Sequence, residues 1–194
     1  MIEGLDRDDI YQLFDELSGE LASRHAKADL FLVGGAAIAV AYDSARSTRD
    51  LDAVFLPTEV VRQAAAAVAA RRGLVDDWLN DAVKGFMPGP DPDAQRFYSS
   101  PSLNVDVASP RYLLAMKLFS ARAENDADDI MLLYSQLGMS TVEEGLDLVE
   151  SVYAGRPLQP KVQFLLEEIV EALANRRSPG APETDIIRRE GEIE

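Results

Sequence analysis

The chain has 194 residues, a formal net charge of −15 from 19 Lys and Arg against 34 Asp and Glu, one histidine and no cysteine. The absence of thiols excludes disulfides, thiolate nucleophiles and thiolate zinc sites, while a lone imidazole, His25, excludes His-pair metal centres and argues against a serine–histidine triad. With 47 % hydrophobic and 27 % charged residues the composition is that of an ordinary globular chain, so any chemistry must rest on carboxylates, Lys and Arg, hydroxyls and backbone amides.

From Asp8 to His25 the apolar residues Ile10, Leu13, Phe14, Leu17 and Leu21 follow the 3/4 spacing of an amphipathic helix. Leu30-Phe31-Leu32-Val33 is a short apolar run ending at Gly34-Gly35, the pattern of a buried strand, and Ala36 to Tyr42 continues as a short helix. Leu51 to Phe55 reads as a second strand, closed by Pro57. Thr58 is placed to cap a helix over the alanine-rich Glu59 to Arg72, and the region of Trp78 reads as a further helical piece or an irregular strand. Prolines 88, 90 and 92 make 87–93 a loop. Leu103 to Ala108 alternates apolar and polar residues, as a strand with one polar face does.

Ser109-Pro110 then opens a helix through about Ala123, Asp126 to Leu137 forms another ending at Gly138, and Thr141 with Glu144 makes a capping box for a helix to about Tyr153. Pro160 opens the last helix, through Ala174, and 178–194, rich in Pro, Gly and charge, reads as a mobile tail. The expected organisation is an α/β region over 1–108, a helical region over 109–177 and the tail. No apolar run reaches the roughly 18 to 20 residues of a membrane span. The start, Met1-Ile2-Glu3-Gly4-Leu5-Asp6, lacks the basic and apolar regions of a secretory signal. A cytoplasmic protein with no membrane attachment is therefore expected. The excess negative charge weighs against a nucleic-acid partner and suits a partner with a basic surface.

Several features carry chemistry. A strand ending in Gly34-Gly35 at a helix start exposes amides and allows a phosphate to approach the backbone closely. Asp50 and Asp52, two residues apart, project from one strand face, where two carboxylates repel unless a cation sits between them. Mg²⁺ (or Mn²⁺) is the candidate, since it takes oxygen ligands and bridges carboxylates to substrate phosphates. Asp106, on the polar face of the third strand, would complete a metal set or act as the base toward an attacking hydroxyl. Lys117, in the next helix, is either a triphosphate ligand or a surface lysine with a snorkelling stem. Asp126 and Asp129, at i and i+3, share one helix side, where one or the other is spaced to hold Lys117 or Arg122 in place. Arg46 and Arg49 either contact phosphate or flank the acidic pair, and His25 reads as a helix-end surface residue.

Gly34-Gly35 followed by Asp50-Leu51-Asp52 resembles the signature of the DNA polymerase β-like nucleotidyltransferase superfamily. More narrowly, Arg46-Ser47-Thr48-Arg49-Asp50-Leu51-Asp52 resembles the Arg-x-Thr-x-Asp-x-Asp form of AbiEii-like and MenT-like nucleotidyltransferase toxins. Lys117, Ala121-Arg122, Asp126 and Asp129-Ile130 resemble the Lys-x-x-x-Ala-x-Arg…Asp-x-x-Asp block of those proteins. The resemblance covers about residues 29 to 137. The chain departs from it at Gly35, where toxin relatives carry a serine hydroxyl, and in the acidic spacer Ala123-Glu124-Asn125.

The resemblance implies a minimal mixed sheet with flanking helices and a C-terminal helical region. It implies Mg²⁺ or Mn²⁺ on Asp50, Asp52 and Asp106, with Lys117 and Asp129 catalytic beside them. A nucleoside triphosphate would be held by Gly34, Gly35, Arg46, Thr48 and Lys117. It further implies transfer of a nucleotidyl group to an acceptor hydroxyl, with the 3′ end of tRNA as acceptor and an antitoxin as partner. The alternatives are a transferase acting on a protein or a small molecule such as an antibiotic, and a catalytically silent nucleotide-binding regulator.

Overall fold

The structure, a computed structural model, describes residues 4–43, 45–121 and 123–177. Arg122 and the expected tail, 178–194, lie outside the described residues. Helix α1 (Arg7–Ser23) is followed by β1 (Ala28–Leu32), α2 (Gly34–Ala41), β2 (Leu51–Leu56), α3 (Thr58–Arg72) and β3 (Leu79–Asn80). A 3-10 turn (Ala82–Phe86) leads to β4 (Gln95–Ser99) and β5 (Leu103–Val107), after which the chain is helical: α4 (Pro110–Ser120), α5 (Ala123–Leu137), α6 (Val142–Val152) and α7 (Lys161–Arg177). This is the expected mixed α/β sheet with flanking helices and a C-terminal helical region.

The five strands lie in the order β3-β2-β1-β5-β4, with β1 parallel to β5, β2 parallel to β3, and the β1/β2 and β4/β5 pairs antiparallel. Strand periodicity separates two faces. Leu30 and Leu32, Leu51, Ala53 and Phe55, and Leu103, Val105 and Val107 are buried on one, where α1 packs on β5 and α3 on β2. Burying each such aliphatic side chain contributes about 1.5–3 kcal/mol. The other face carries Asp29, Phe31, Asp52, Asn104 and Asp106 by the same alternation, and is only part-covered. Phe31 meets the edge of Tyr112 at the start of α4, with ring centroids 5.5 Å apart.

Local signals place most boundaries. Asp6 caps α1, accepting from Asp8 N and Asp9 N at 2.9 Å, and the Asp9 carboxylate accepts from Asp6 N at 3.2 Å. Thr58 is the first helical residue of α3 rather than its cap, which is Pro57. The Thr58 hydroxyl donates back to Phe55 O instead. The region of Trp78 resolves into the two-residue strand β3, with Trp78 fully buried and its indole N–H donating to Ala65 O at 3.1 Å.

Strand β4 has no forerunner in the sequence pattern. Gln95-Arg96-Phe97-Tyr98-Ser99 is an edge strand with one buried residue, Tyr98, so it shows neither a continuous apolar run nor clean alternation. The proline-rich loop is fastened to α4 by Asp91, which accepts from Ser109 N at 2.7 Å and Ser109 Oγ at 3.1 Å, while Tyr112 Oη donates to Gly89 O at 2.7 Å.

Candidate active cleft

A cleft of about 1910 Å³ is lined both by the sheet region and by α4 and α5. Its floor is the turn after β1. Gly34 has φ +66°, in the left-handed region, and a Cβ placed there would lie 2.8 Å from Asp52 Oδ2. A Cβ on Gly35 would lie 3.3 Å from Thr48 Oγ1. Gly34 is thus required by its backbone conformation and close approach, whereas a Cβ at Gly35 would be tight against Thr48, and the chain places the Gly-Gly turn directly against the Asp52 and Thr48 side chains. Any larger residue at 34 would fill the space beside the carboxylate.

Asp50 and Asp52 both line the cleft. Asp52 is the second residue of β2, and its carbonyl accepts from Val33 N at 2.9 Å. Asp50 lies in the bend just before the strand and is exposed. That bend is shaped by Thr48, whose hydroxyl donates to Asp50 O at 3.0 Å and whose backbone exchanges hydrogen bonds with Leu5 at 2.5 and 2.9 Å. The Thr48 proton is therefore committed to the turn, and what it does for the site is to present Asp50. Leu5, absent from the sequence reading of the site, anchors this loop from the N-terminal side.

The opposite wall is a cluster of four charges. Lys117 Nζ donates to Asp126 Oδ1 at 2.6 Å and lies 2.7 Å from Asp129 Oδ2, with side chains 12, 14 and 4 % exposed respectively. Arg46 forms an ion pair with Asp129 Oδ1, a contact without aligned hydrogen-bond geometry. The surface-lysine reading of Lys117 is thereby excluded. Both helix carboxylates, not one, hold it, and Asp129 also joins it to Arg46 on the loop before β2. Arg49 lines the cleft and is exposed. His25 is exposed beyond the end of α1, with φ 52°.

Asp106 does not join the set. It lies on β5 opposite Phe31, whereas Asp52 lies opposite Val33 across β1. Two strand spacings, about 10 Å, therefore separate the two aspartates laterally, besides their offset along the strands. Asp106 is instead paired with Arg96 of β4, through Nε to Oδ1 and through Nη2 to Oδ2 at 3.4 Å. Nothing in the linear pattern marks that partner, because β4 carries no regular periodicity. Among the described residues no group of three His or carboxylate ligands is assembled to hold a metal ion.

The remaining cleft wall is apolar and comes from the turn after α3 and the 3-10 turn: Leu74, Val75, Trp78, Val83 and Phe86. Its backbone is fixed from α6, since Tyr153 Oη donates to Phe86 O at 2.9 Å. Burial pushes the Tyr153 hydroxyl up to about 12, so it stays a donor throughout the neutral range. Tyr153 is itself stacked on Phe119 at 4.0 Å, with Arg156 over both rings and donating to Met87 O at 3.4 Å. No periodicity or motif marked this wall in the sequence, because isolated apolar residues in loops carry no signal of what they face.

A mixed sheet whose glycine turn meets an Asp-x-Asp bend, with a lysine presented by the helices beyond it, defines a nucleotidyltransferase-like domain. The chain belongs to the family of nucleotidyltransferases of unknown function DUF6036, whose model matches residues 8–157. Neither a curated protein nor a solved structure gives a significant match to the chain. No helix among the described residues is long and apolar enough to cross a membrane.

Proposed function

We propose that the protein transfers a nucleotidyl group from a nucleoside triphosphate to an acceptor hydroxyl with the aid of a divalent cation. The observation that carries this reading is the convergence of the Gly34-Gly35 turn, Asp50, Asp52, Arg46 and Lys117 on one cleft. Two carboxylates beside a turn that a Cβ would obstruct fit Mg²⁺ or Mn²⁺, which binds through one or two protein carboxylates and completes its shell with phosphate oxygens and water. Asp50 and Asp52 are the residues that would hold it, without Asp106. When bound, the cation supplies charge neutralisation at the reacting phosphate.

The chain's own groups do the rest. The amides at the start of α2 face phosphate oxygens. Lys117 and Arg46, held in place by Asp126 and Asp129, neutralise the departing pyrophosphate, and the cleft aligns the acceptor oxygen with the α-phosphorus. The new oxygen–phosphorus bond forms as the bond to pyrophosphate breaks, and the acceptor hydroxyl's proton leaves to solvent water.

For the acceptor, the Arg46–Asp52 and Lys117–Asp129 blocks support the 3′ end of tRNA and the role of a toxin with a cognate antitoxin. The net charge of −15 favours instead a protein or small-molecule hydroxyl, since a polyanion must approach against the overall field. Incubation with labelled nucleoside triphosphates and Mg²⁺, with total tRNA in one arm and a protein lysate in the other, tests both readings. Label on either acceptor that disappears with Asp52→Ala supports transfer. No label on any acceptor, with no pyrophosphate released, overturns it.

A further inference from the structure

The cleft has two chemically different ends. All the charged residues that line it lie on the loop 46–52 and on α4 and α5, whereas the part built from 73–86 contributes no charged side chain to the lining. Two of the large hydrophobic side chains exposed on this protein, Val75 (62 %) and Phe86 (55 %), stand in this end of the cleft. Small-molecule pockets are lined mainly by apolar and aromatic side chains with a few placed polar groups, and this cleft has that makeup.

We propose that Phe86 and Val75 form the wall on which the base of the bound nucleotide stacks, an inference that rests on the nucleotidyl-transfer reading of the same cleft. Strand register sets the start of β3, between the two parts of this wall, beside Asp50 and Asp52. β3 pairs with β2 so that Asn80 lies opposite Asp52, and Trp78 O accepts from Leu51 N at 2.7 Å between the two aspartates. The residues entering β3 are therefore one strand spacing, about 4.8 Å, from the bend that carries Asp50 and Asp52, and Phe86, beyond β3, lines the same cleft. A nucleotide whose phosphates lie between these carboxylates and Lys117 places its base on the far side, where the lining turns apolar.

Phe86 is suited to stacking because its backbone is pinned by Tyr153 while its ring makes no aromatic contact among the described residues. Little backbone freedom is then lost on binding. The wall also predicts weak base selectivity. Its side chains are Leu74, Val75, Trp78, Val83 and Phe86, and the one polar group among them, the Trp78 N–H, is spent on Ala65 O. Base–aromatic stacking is tolerant of sequence, because every base has a π-face.

The test is calorimetric binding, with Mg²⁺ present, of α,β-methylene nucleoside triphosphates of all four bases and of inorganic tripolyphosphate. Wild type is compared with Phe86→Ala and Phe86→Trp. The expected result is that Phe86→Ala weakens every nucleotide about tenfold, with purines bound more tightly than pyrimidines. Tripolyphosphate affinity should be unchanged and Phe86→Trp should retain nucleotide binding. Nucleotide affinity unaltered by Phe86→Ala overturns the proposal, including the case in which only acceptor dependence of transfer changes, which would give the wall to the acceptor. Equal weakening of tripolyphosphate and nucleotide also overturns it. If wild type binds tripolyphosphate as tightly as any nucleotide, the stacking wall falls and the phosphate site stands; if it binds neither, the nucleotidyl-transfer reading falls with it.

Discussion

Lys117 holds two carboxylates at hydrogen-bond distance with only 12 % of its side chain exposed, and this changes what its removal does. A snorkelling lysine costs a few tenths of a kcal/mol when truncated, but deleting one partner of a buried ion pair strands the other and costs about 3–5 kcal/mol. Lys117→Ala is therefore expected to lose about 3 kcal/mol, read from the urea midpoint, as well as transfer. The paired variant Lys117→Met with Asp126→Asn separates the two effects, because it removes both members of the closest contact and leaves Asp129 its partner Arg46. It should recover most of the stability and none of the activity. Full transfer in that paired variant would take Lys117 out of the site chemistry.

Among the elements, α6 shows both kinds of local control. Its start is a complete capping box, in which Glu144 accepts from Ser140 N at 2.7 Å and Thr141 N at 2.9 Å while its own N–H donates to Thr141 Oγ1. The Ser140 amide, followed by that of Thr141, holds the Glu144 carboxyl below the ordinary value of 4.5. A lowered folded pKa stabilises above the unfolded value and is lost as pH falls through the folded one. The stability difference between wild type and Glu144→Gln should accordingly be largest near neutrality and shrink below about pH 4.5, as followed by urea denaturation across pH. Further along α6, a Cβ on Gly145 would fall inside the contact radius of Tyr134 Oη and 2.7 Å from Leu166 Cδ2. Gly145→Ala is expected to destabilise by about 1–3 kcal/mol through overpacking, with partial rescue by Tyr134→Phe in the same thermal melt.

At the scale of the whole molecule, a cleft shared by the sheet region and the helices ties ligand binding to global stability. A ligand that binds only the native state stabilises it by RT ln(1 + [L]/Kd), about 2.7 kcal/mol at a hundredfold excess over Kd. For a chain of this size that corresponds to a rise in Tm of about 5–10 °C. Calorimetric scans with Mg²⁺ and a non-hydrolysable nucleoside triphosphate should show this rise in wild type, and Asp52→Ala should abolish it. An unchanged wild-type Tm at saturation would remove the cleft from consideration as a metal–nucleotide site.

Much of this protein is written locally. The 3/4 spacing of α1, the period-2 alternation of β5, Ser109-Pro110 before α4 and the Thr141 and Glu144 box are short-range steric and hydrogen-bonding preferences, and they placed those elements from sequence. Gly34-Gly35, Asp50 and Asp52 were legible for the same reason, since a glycine turn and an Asp-x-Asp spacing each act within a few residues. What tertiary structure alone decided is which distant residues share a space. The unforeseen edge strand β4 brings Arg96 to Asp106, a carboxylate that does not line the cleft. The packing of α4 and α5 against the loop before β2 gives Asp129 both Lys117 and Arg46. The turns around β3 put Val75 and Phe86 in the cleft that the aspartates line. Pairing across strands and helices depends on contacts tens of residues apart, and a single linear pattern holds no periodicity that encodes them.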